Sequence, residues 1–385
     1  MSWVEAELRE QPVALERFLA AESAHAQEIV AALLREDVRY LLIVSRGSSS
    51  NVARYMQYLF GTVNRLPVAF ATPSLYTVYD APPELGPAAV IGISQSGASP
   101  DVVAVLDEAR KQGRPTLAVT NDPKSPLALA ADSVLQLHAG EERAVAATKT
   151  YLNSIAGVAL LSTAADPRRL DNLLAMPEKV GEQIERSLAA AGALDRYREV
   201  EGGSVVARGV NYGAAFEIAL KVRELSGAQF EAFSSADLLH GPIAALKSGR
   251  PAIVIAPTGR TLASMGVALE KVRERGAEVI AISDDVKFLA ESETALPLVR
   301  GVPEWLSPLL TVVPGQVAAV RLATLRDADV DSPVGLTKIT LTHSNATELV
   351  LTSSVATNSS LWPIPRRTSS DRDTRRRSPR CRLPP

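Results

Sequence analysis

Apolar residues recur at helical spacing from about Pro12 to Leu34, and a continuous run, Tyr40-Leu-Leu-Ile-Val44, follows them. The first pattern predicts an amphipathic helix; the second predicts a strand buried on both faces. The strand runs into Ser45-Arg-Gly-Ser-Ser-Ser-Asn51, a glycine-containing loop that opens a further helix. The same grammar returns in Ala88-Ala-Val-Ile-Gly-Ile93 (strand), Ser94-Gln-Ser-Gly-Ala-Ser-Pro100 (loop), residues 101–111 (helix), Pro115-Thr-Leu-Ala-Val119 (strand) and the turn at Asn121-Asp-Pro-Lys. Strands alternating with helices predict right-handed βαβ units and a parallel sheet. No apolar run of the roughly 18 residues that span a bilayer stands out in the pattern.

From about Gly202 the pattern repeats. Val44-Ser-Arg-Gly47 is echoed by Val206-Ala-Arg-Gly209, and Ile93-Ser-Gln-Ser-Gly97 by Ile255-Ala-Pro-Thr-Gly259, both offset by 162 positions. Gly113 is echoed by Gly276, and Thr120-Asn-Asp122 by Ser283-Asp-Asp285, both offset by 163. Four landmarks in one register imply two copies of one α/β unit. The expected organisation is a helical segment over 1–35, a first unit over 36–166, a helical connector over 167–197, a second unit over 198–328, a short segment over 329–340 and a tail over 341–385.

Composition narrows the possibilities. The chain has 385 residues, 46% hydrophobic and 22% charged, which suits a soluble globular protein. Its net charge of -2 conceals an asymmetry, because residues 341–385 hold eight Arg against three acidic residues and leave the body with 33 basic against 40 acidic. An acidic body argues against a nucleic-acid partner, and the Arg- and Pro-rich tail reads as disordered. Cys381 is the single cysteine and lies in the tail, so the body can build no disulfide, Cys-ligated metal site or thiolate nucleophile. The first ten residues are acidic and amphipathic, unlike a signal peptide, and the protein is expected in the cytoplasm without a membrane partner.

Two segments offer sites for an anion. Residues 94–99 lie between a buried strand and a helix that carries Pro100 in its first turn, so a phosphate there would meet backbone N–H groups, the positive helix pole and hydroxyl donors. Residues 47–51 make the same offer from the neighbouring strand. Each alone can be plain capping, with Ser99 as N-cap; two at the carboxyl ends of strands in one unit place a ligand in the crevice of an α/β sheet. The motifs GxxxxGK[ST] and GxGxxG are absent. The second copy, Ala256-Pro-Thr-Gly259, has lost the serines, so the anion site is expected in the first copy only.

Candidate proton-transfer groups follow. Glu217, Lys221 and Glu224 stand at i, i+4 and i+7, on one helix face, a pattern that a solvent-facing ion-pair stripe also gives. His240 precedes Gly241-Pro242 in a turn, where an imidazole can face a cleft and titrate near neutrality or be satisfied by packing. Lys338 by itself reads as a surface lysine. The four histidines have no partner ligands at metal spacing, and no metal or cofactor is expected.

Together these segments resemble the sugar isomerase (SIS) domain family, and within it the isomerase half of the glucosamine-6-phosphate synthases, over roughly residues 10–340. Glu-x-Ala-Leu-Lys-x-x-Glu at 217–224 and Leu-His-Gly-Pro at 239–242 carry the likeness most specifically, with Asp-x-Asp-x-Pro-x-x-Leu-x-Lys at 329–338. The resemblance implies two tandem SIS domains, each a flavodoxin-like parallel sheet flanked by helices in three αβα layers. It implies Ser48, Ser49, Ser94, Gln95, Ser96 and Ser99 as phosphate and sugar ligands, with Val145 as a backbone contact in the segment over the sugar. It further implies His240 opening the ring, Glu224 moving a proton between carbons 1 and 2, Lys221 and Glu217 setting the local charge, and Lys338 as the imine-forming lysine. Direct hydrolysis of the imine is the alternative to that last role.

The synthases place a glutaminase domain with an amino-terminal cysteine before this half, whereas this sequence reads Met-Ser-Trp and enters the isomerase helix within about ten residues. The expected activity is therefore that of an amino-sugar phosphate isomerase and deaminase, converting glucosamine 6-phosphate to fructose 6-phosphate and ammonia. A fructosamine-6-phosphate deglycase and a non-catalytic sugar-phosphate-binding protein are the alternatives. The expected partners are a hexose or amino-sugar 6-phosphate and a second copy of the chain, because the family's His-Gly-Pro segment reaches into the neighbouring subunit's cleft.

Overall fold

The computed structural model describes residues 1–164 and 166–338; the tail expected over 341–385, and the last two residues of the segment expected over 329–340, lie outside them. Among the described residues, ten strands form two five-stranded sheets. β1 (Tyr40–Ser45), β2 (Val68–Phe70), β3 (Ala88–Ile93), β4 (Thr116–Thr120) and β5 (Ser133–Gln136) make the first. β6 (Gly202–Ala207), β7 (Gln229–Ser234), β8 (Ala252–Ile255), β9 (Val279–Ser283) and β10 (Thr294–Pro297) make the second. Their orders, β2-β1-β3-β4-β5 and β7-β6-β8-β9-β10, are the same, and every pairing is parallel. This is the flavodoxin-like order, with its switch point between β1 and β3 and again between β6 and β8.

Alternation along the strands explains the layers. Leu41 and Ile43 point into a core that also takes in Val205, Ala207 and the apolar helix Pro308–Leu325, while Leu42 and Val44 point into a separate cluster beneath the helix Pro100–Lys111. Successive side chains face opposite sides of a strand, so a parallel sheet covered on both faces must be apolar throughout. The central core is shared by both repeats, and each sheet has its own outer core.

Several details depart from the sequence pattern. The apolar stretch from Pro12 to Leu34 is two helices, Gln11–Glu22 and His25–Leu33, broken where the Ser23 hydroxyl donates to the Leu19 carbonyl at 2.5 Å. Residues 47–51 are not a loop but the first turns of the helix Gly47–Leu59. Among the described residues one helix, Pro308–Leu325, is long and apolar enough to cross a membrane, which corrects the pattern-based expectation; 83% of it is buried inside the protein.

The repeats meet through the helices Gly47–Leu59 and Tyr212–Ser226, and a glycine permits the contact. A Cβ on Gly213 would lie 2.3 Å from the Asn51 carbonyl oxygen. Gly213→Ala is therefore expected to lower stability by about 1–3 kcal/mol in urea denaturation, since the helices must separate. Gly266→Ala, in the helix Leu262–Glu274 where a Cβ meets nothing within 4 Å, is expected to raise it by roughly 0.4–1 kcal/mol. Equal effects at the two positions would contradict this account of the contact.

Candidate active site

The carboxyl ends of β1 and β3 bring two serine-bearing segments side by side. Arg46, the N-cap of the helix Gly47–Leu59, extends its guanidinium to Asp101 in the first turn of the helix Pro100–Lys111, with Nε at 2.7 Å and Nη2 at 2.5 Å from Oδ2. That charge-assisted pair ties the two segments together. Gly97 turns the second segment with φ +61°, and a Cβ there would lie 2.1 Å from the Ser125 hydroxyl, so only glycine fits. The Ser94 hydroxyl accepts from Gly97 N–H at 3.2 Å and the Ser96 hydroxyl from Ala98 N–H at 3.3 Å. Ser99 occupies the N-cap position with extended backbone, yet its side chain makes no capping hydrogen bond. The helix pole and the Ser99 hydroxyl are thus left to the cleft.

Opposite stands the helix Tyr212–Ser226. Glu217 is 0% exposed and receives hydrogen bonds from the Ser48 hydroxyl at 2.9 Å and the Asn51 amide at 2.7 Å. Lys221, also buried, lies 3.5 Å from Glu217 and 2.5 Å from Glu224, whose side chain is 24% exposed. The helical stripe is therefore no solvent-facing one: two of its members are buried and the third opens into the cleft. Burial by itself would lower the Lys221 pKa, but the Glu217 and Glu224 carboxylates outweigh it and hold the ammonium above its ordinary value. Burial pushes the Glu217 carboxyl up, against the pull of Lys221 and Asn51.

A third element covers the cleft. Glu142, with a fully buried side chain, accepts from Lys338 Nζ at 2.8 Å, the Thr150 hydroxyl at 2.7 Å, and the N–H groups of Thr148 and Thr150 at 3.0 and 3.1 Å. Lys338 also donates to the Ala144 carbonyl at 2.6 Å, and Val145 N–H donates to the Asp331 carbonyl at 3.1 Å. Burial raises the Glu142 carboxyl, but the Lys338 charge and these hydrogen bonds bring it below its ordinary value.

One cleft of about 390 Å³ is lined by Ser48, Ser49, Ser94, Gln95, Ser96, Ser99, Val145, Lys221, Glu224 and Lys338. Glu217 sits directly behind it. His240 does not line it: the residue is exposed, in the turn after the helix Ser235–Leu239, with its N–H on the Asp237 carbonyl. Sequence reasoning missed Glu142, Asn51 and the Arg46–Asp101 pair. Glu142 stands beside the exposed Glu141, and nothing in the local sequence tells the buried one from the solvated one.

The fold and cleft define a tandem α/β protein whose first repeat presents a serine-lined crevice facing a carboxylate–ammonium–carboxylate array. The SIS domain model matches residues 36–164 and 204–326, and the chain belongs to the SIS domain family. It is 31% identical over 350 residues to the isomerizing glutamine–fructose-6-phosphate aminotransferase of Thermus thermophilus, a match over 86% of this chain and 57% of that one. The chain thus spans a little over half the length of that relative. Its fold is similar to the C-terminal domain of glucosamine-fructose-6-phosphate aminotransferase from Francisella tularensis (TM-score 0.77, 23% identity, covering 86% of this chain and 98% of that one). It is likewise similar to a glucosamine-6-phosphate deaminase from Thermotoga maritima (TM-score 0.73, 21% identity, 89% and 100%).

The Glu142 pair generates a pH test. A carboxyl whose folded pKa lies below its ordinary 4.5 contributes stability that is complete above 4.5 and is lost as pH falls through the folded value. Glu142→Gln should therefore lower stability by about 1–3 kcal/mol at pH 7, and the gap from the native protein should narrow below pH 4.5. A gap in denaturation midpoint that stays constant from pH 7 to pH 3 would refute the pairing.

Proposed function

We propose that the cleft binds an amino-sugar 6-phosphate and moves its carbonyl between carbons 1 and 2, so that glucosamine 6-phosphate and water give fructose 6-phosphate and ammonia. The observation that carries this reading is the placement of Glu224, beside a buried ammonium, across the cleft from hydroxyls and an open helix pole. Charge at the phosphate end and a base at the other orient a short polyhydroxy chain lengthwise.

The phosphate would lie against Ser94, Gln95, Ser96 and Ser99, with Ser48 and Ser49 on the other wall, and its binding energy would align carbons 1 and 2. With the ring open, Glu224 takes the proton from carbon 2 and returns it to carbon 1; the enolamine becomes a ketimine. Lys221, held cationic by its two carboxylates, stabilises the negative charge that develops on the carbon 1 oxygen. Water hydrolyses the ketimine and ammonia leaves, or Lys338 exchanges with it first; for that exchange Lys338 must leave Glu142 and lose its proton. Ring opening falls to His240 supplied by a second copy of the chain, a reading supported by its exposure outside its own cleft.

Glu224→Gln keeps the shape of the side chain and removes the base. The expected result is a fall in kcat of about 10² to 10⁴ with KM little changed, measured as keto-sugar and ammonia release over a panel of amino-sugar and fructosamine phosphates. An unaltered kcat would remove Glu224 from the mechanism, and turnover of fructosamine 6-phosphates alone would replace the deaminase by a deglycase. Mixing Glu224→Gln with His240→Asn protein should restore part of the activity through hybrid dimers; a fully active monomer would exclude the shared site.

A further inference from the structure

The second repeat has a loop at its own switch point, residues 256–261, offset by 162 positions from residues 94–99. Unlike the first, it is already filled. Glu304 Oε2 accepts from Arg260 N–H at 2.9 Å, and Oε1 accepts from the N–H and hydroxyl of Thr261 at 3.2 and 3.0 Å. Arg260 and Thr261 are the counterparts of Ala98 and Ser99, and Thr261 is the N-cap of the helix Leu262–Glu274 as Ser99 is of Pro100–Lys111. Gly259, the counterpart of Gly97, leaves the room: a Cβ there would lie 2.5 Å from Glu304 Cδ. A carboxylate of the chain itself therefore closes the second loop.

The residues after Glu304 reach both helices that build the cleft. The Trp305 carbonyl accepts from the buried Tyr55 hydroxyl at 2.8 Å, and Tyr55 belongs to the helix that carries Ser48 and Ser49. The Ser307 hydroxyl donates to the Glu304 carbonyl at 2.7 Å and accepts from the Asn211 amide at 2.8 Å. Asn211 is the N-cap of the helix that carries Glu217, Lys221 and Glu224, and its side-chain Oδ1 accepts from the Thr311 hydroxyl at 2.8 Å.

We propose that the Glu304 carboxylate is a permanent internal anion, taking in the second repeat the place that the substrate phosphate takes in the first, and that by fixing residues 304–307 it positions the two helices of the cleft. Glu304 touches no substrate; it is a positioning residue. Its effect on the cleft rests on the sugar-phosphate reading, whereas its effect on its own loop does not, and two readouts separate them.

The full chain, Glu304→Ala and Gly259→Ala are compared in sodium formate and in sodium chloride of equal ionic strength, by melting temperature and by direct titration with fructose 6-phosphate. Glu304→Ala should melt lower and bind the sugar phosphate about three- to tenfold more weakly, and formate, entering the vacated loop, should restore both. Gly259→Ala should show the same weakening without restoration, because its methyl group fills the space. Failure of formate to raise the melting temperature of Glu304→Ala above its value in chloride would overturn the internal anion. Unchanged sugar-phosphate affinity in both variants would overturn the positioning role, and Gly259→Ala alone decides that point if Glu304→Ala does not fold. Absence of sugar-phosphate binding by the unsubstituted chain would instead defeat the reading of the first cleft, leaving the melting temperatures to judge the loop.

Discussion

A buried carboxylate between two helices organises this molecule. Glu217 lies at the boundary between the repeats, and its two oxygens are met by Ser48 and Asn51 from one side and Lys221 from its own helix. An unpaired carboxylate in such a place costs several kcal/mol, so these partners must be present together. That requirement fixes the distance between the helices Gly47–Leu59 and Tyr212–Ser226, and Gly213 makes the distance attainable. Because Glu224 is two turns along the same helix face, a constraint that satisfies Glu217 also aims Glu224 across the cleft.

The two repeats show how one architecture divides its duties. Their sheets have the same order and their glycine turns recur, with Gly113 at φ +68° and Gly276 at φ +76° preceding equivalent strands. Their loops have diverged in chemistry. The first combines hydroxyls with an uncapped helix pole; the second faces a carboxylate from its own chain. The helix face bearing Glu217, Lys221 and Glu224 belongs to the second repeat, so each copy contributes the half of the cleft that the other lacks.

Much of this was legible in the sequence because the signals were periodic or repeated. β1 and β3 carry continuous apolar runs of five and six residues and β4 a shorter one, Leu117-Ala-Val119, and offsets of 162 and 163 positions located their counterparts. The edge strand Val68–Phe70 left no trace, since three partly exposed residues carry no period. Residues 47–51 read as a loop because glycine and serine favour loops; only the contact of Ser48 and Asn51 with Glu217, 169 and 166 positions away, shows why the helix begins there. The stripe at 217, 221 and 224 was visible, but its burial was not, because the surface covering it comes from the other repeat. Glu142 was invisible for the same reason: its partners Thr150 and Lys338 are set by the fold and not by any local pattern.

The two ends of the described chain are fastened to one another. Trp3 and Val4 donate their N–H groups to the Asp331 carboxylate, both at 2.9 Å across more than 300 positions, and the Asp331 carbonyl receives Val145 from the cover of the cleft. Contacts of such separation form late, after the loops between them have closed. During synthesis the serine segments leave the ribosome early, but the clasp that brings Lys338 over them must wait for residue 331. A nascent chain therefore presents the serine segments long before Lys338 can stand over them, and the cleft is complete only when nearly all of the fold is in place.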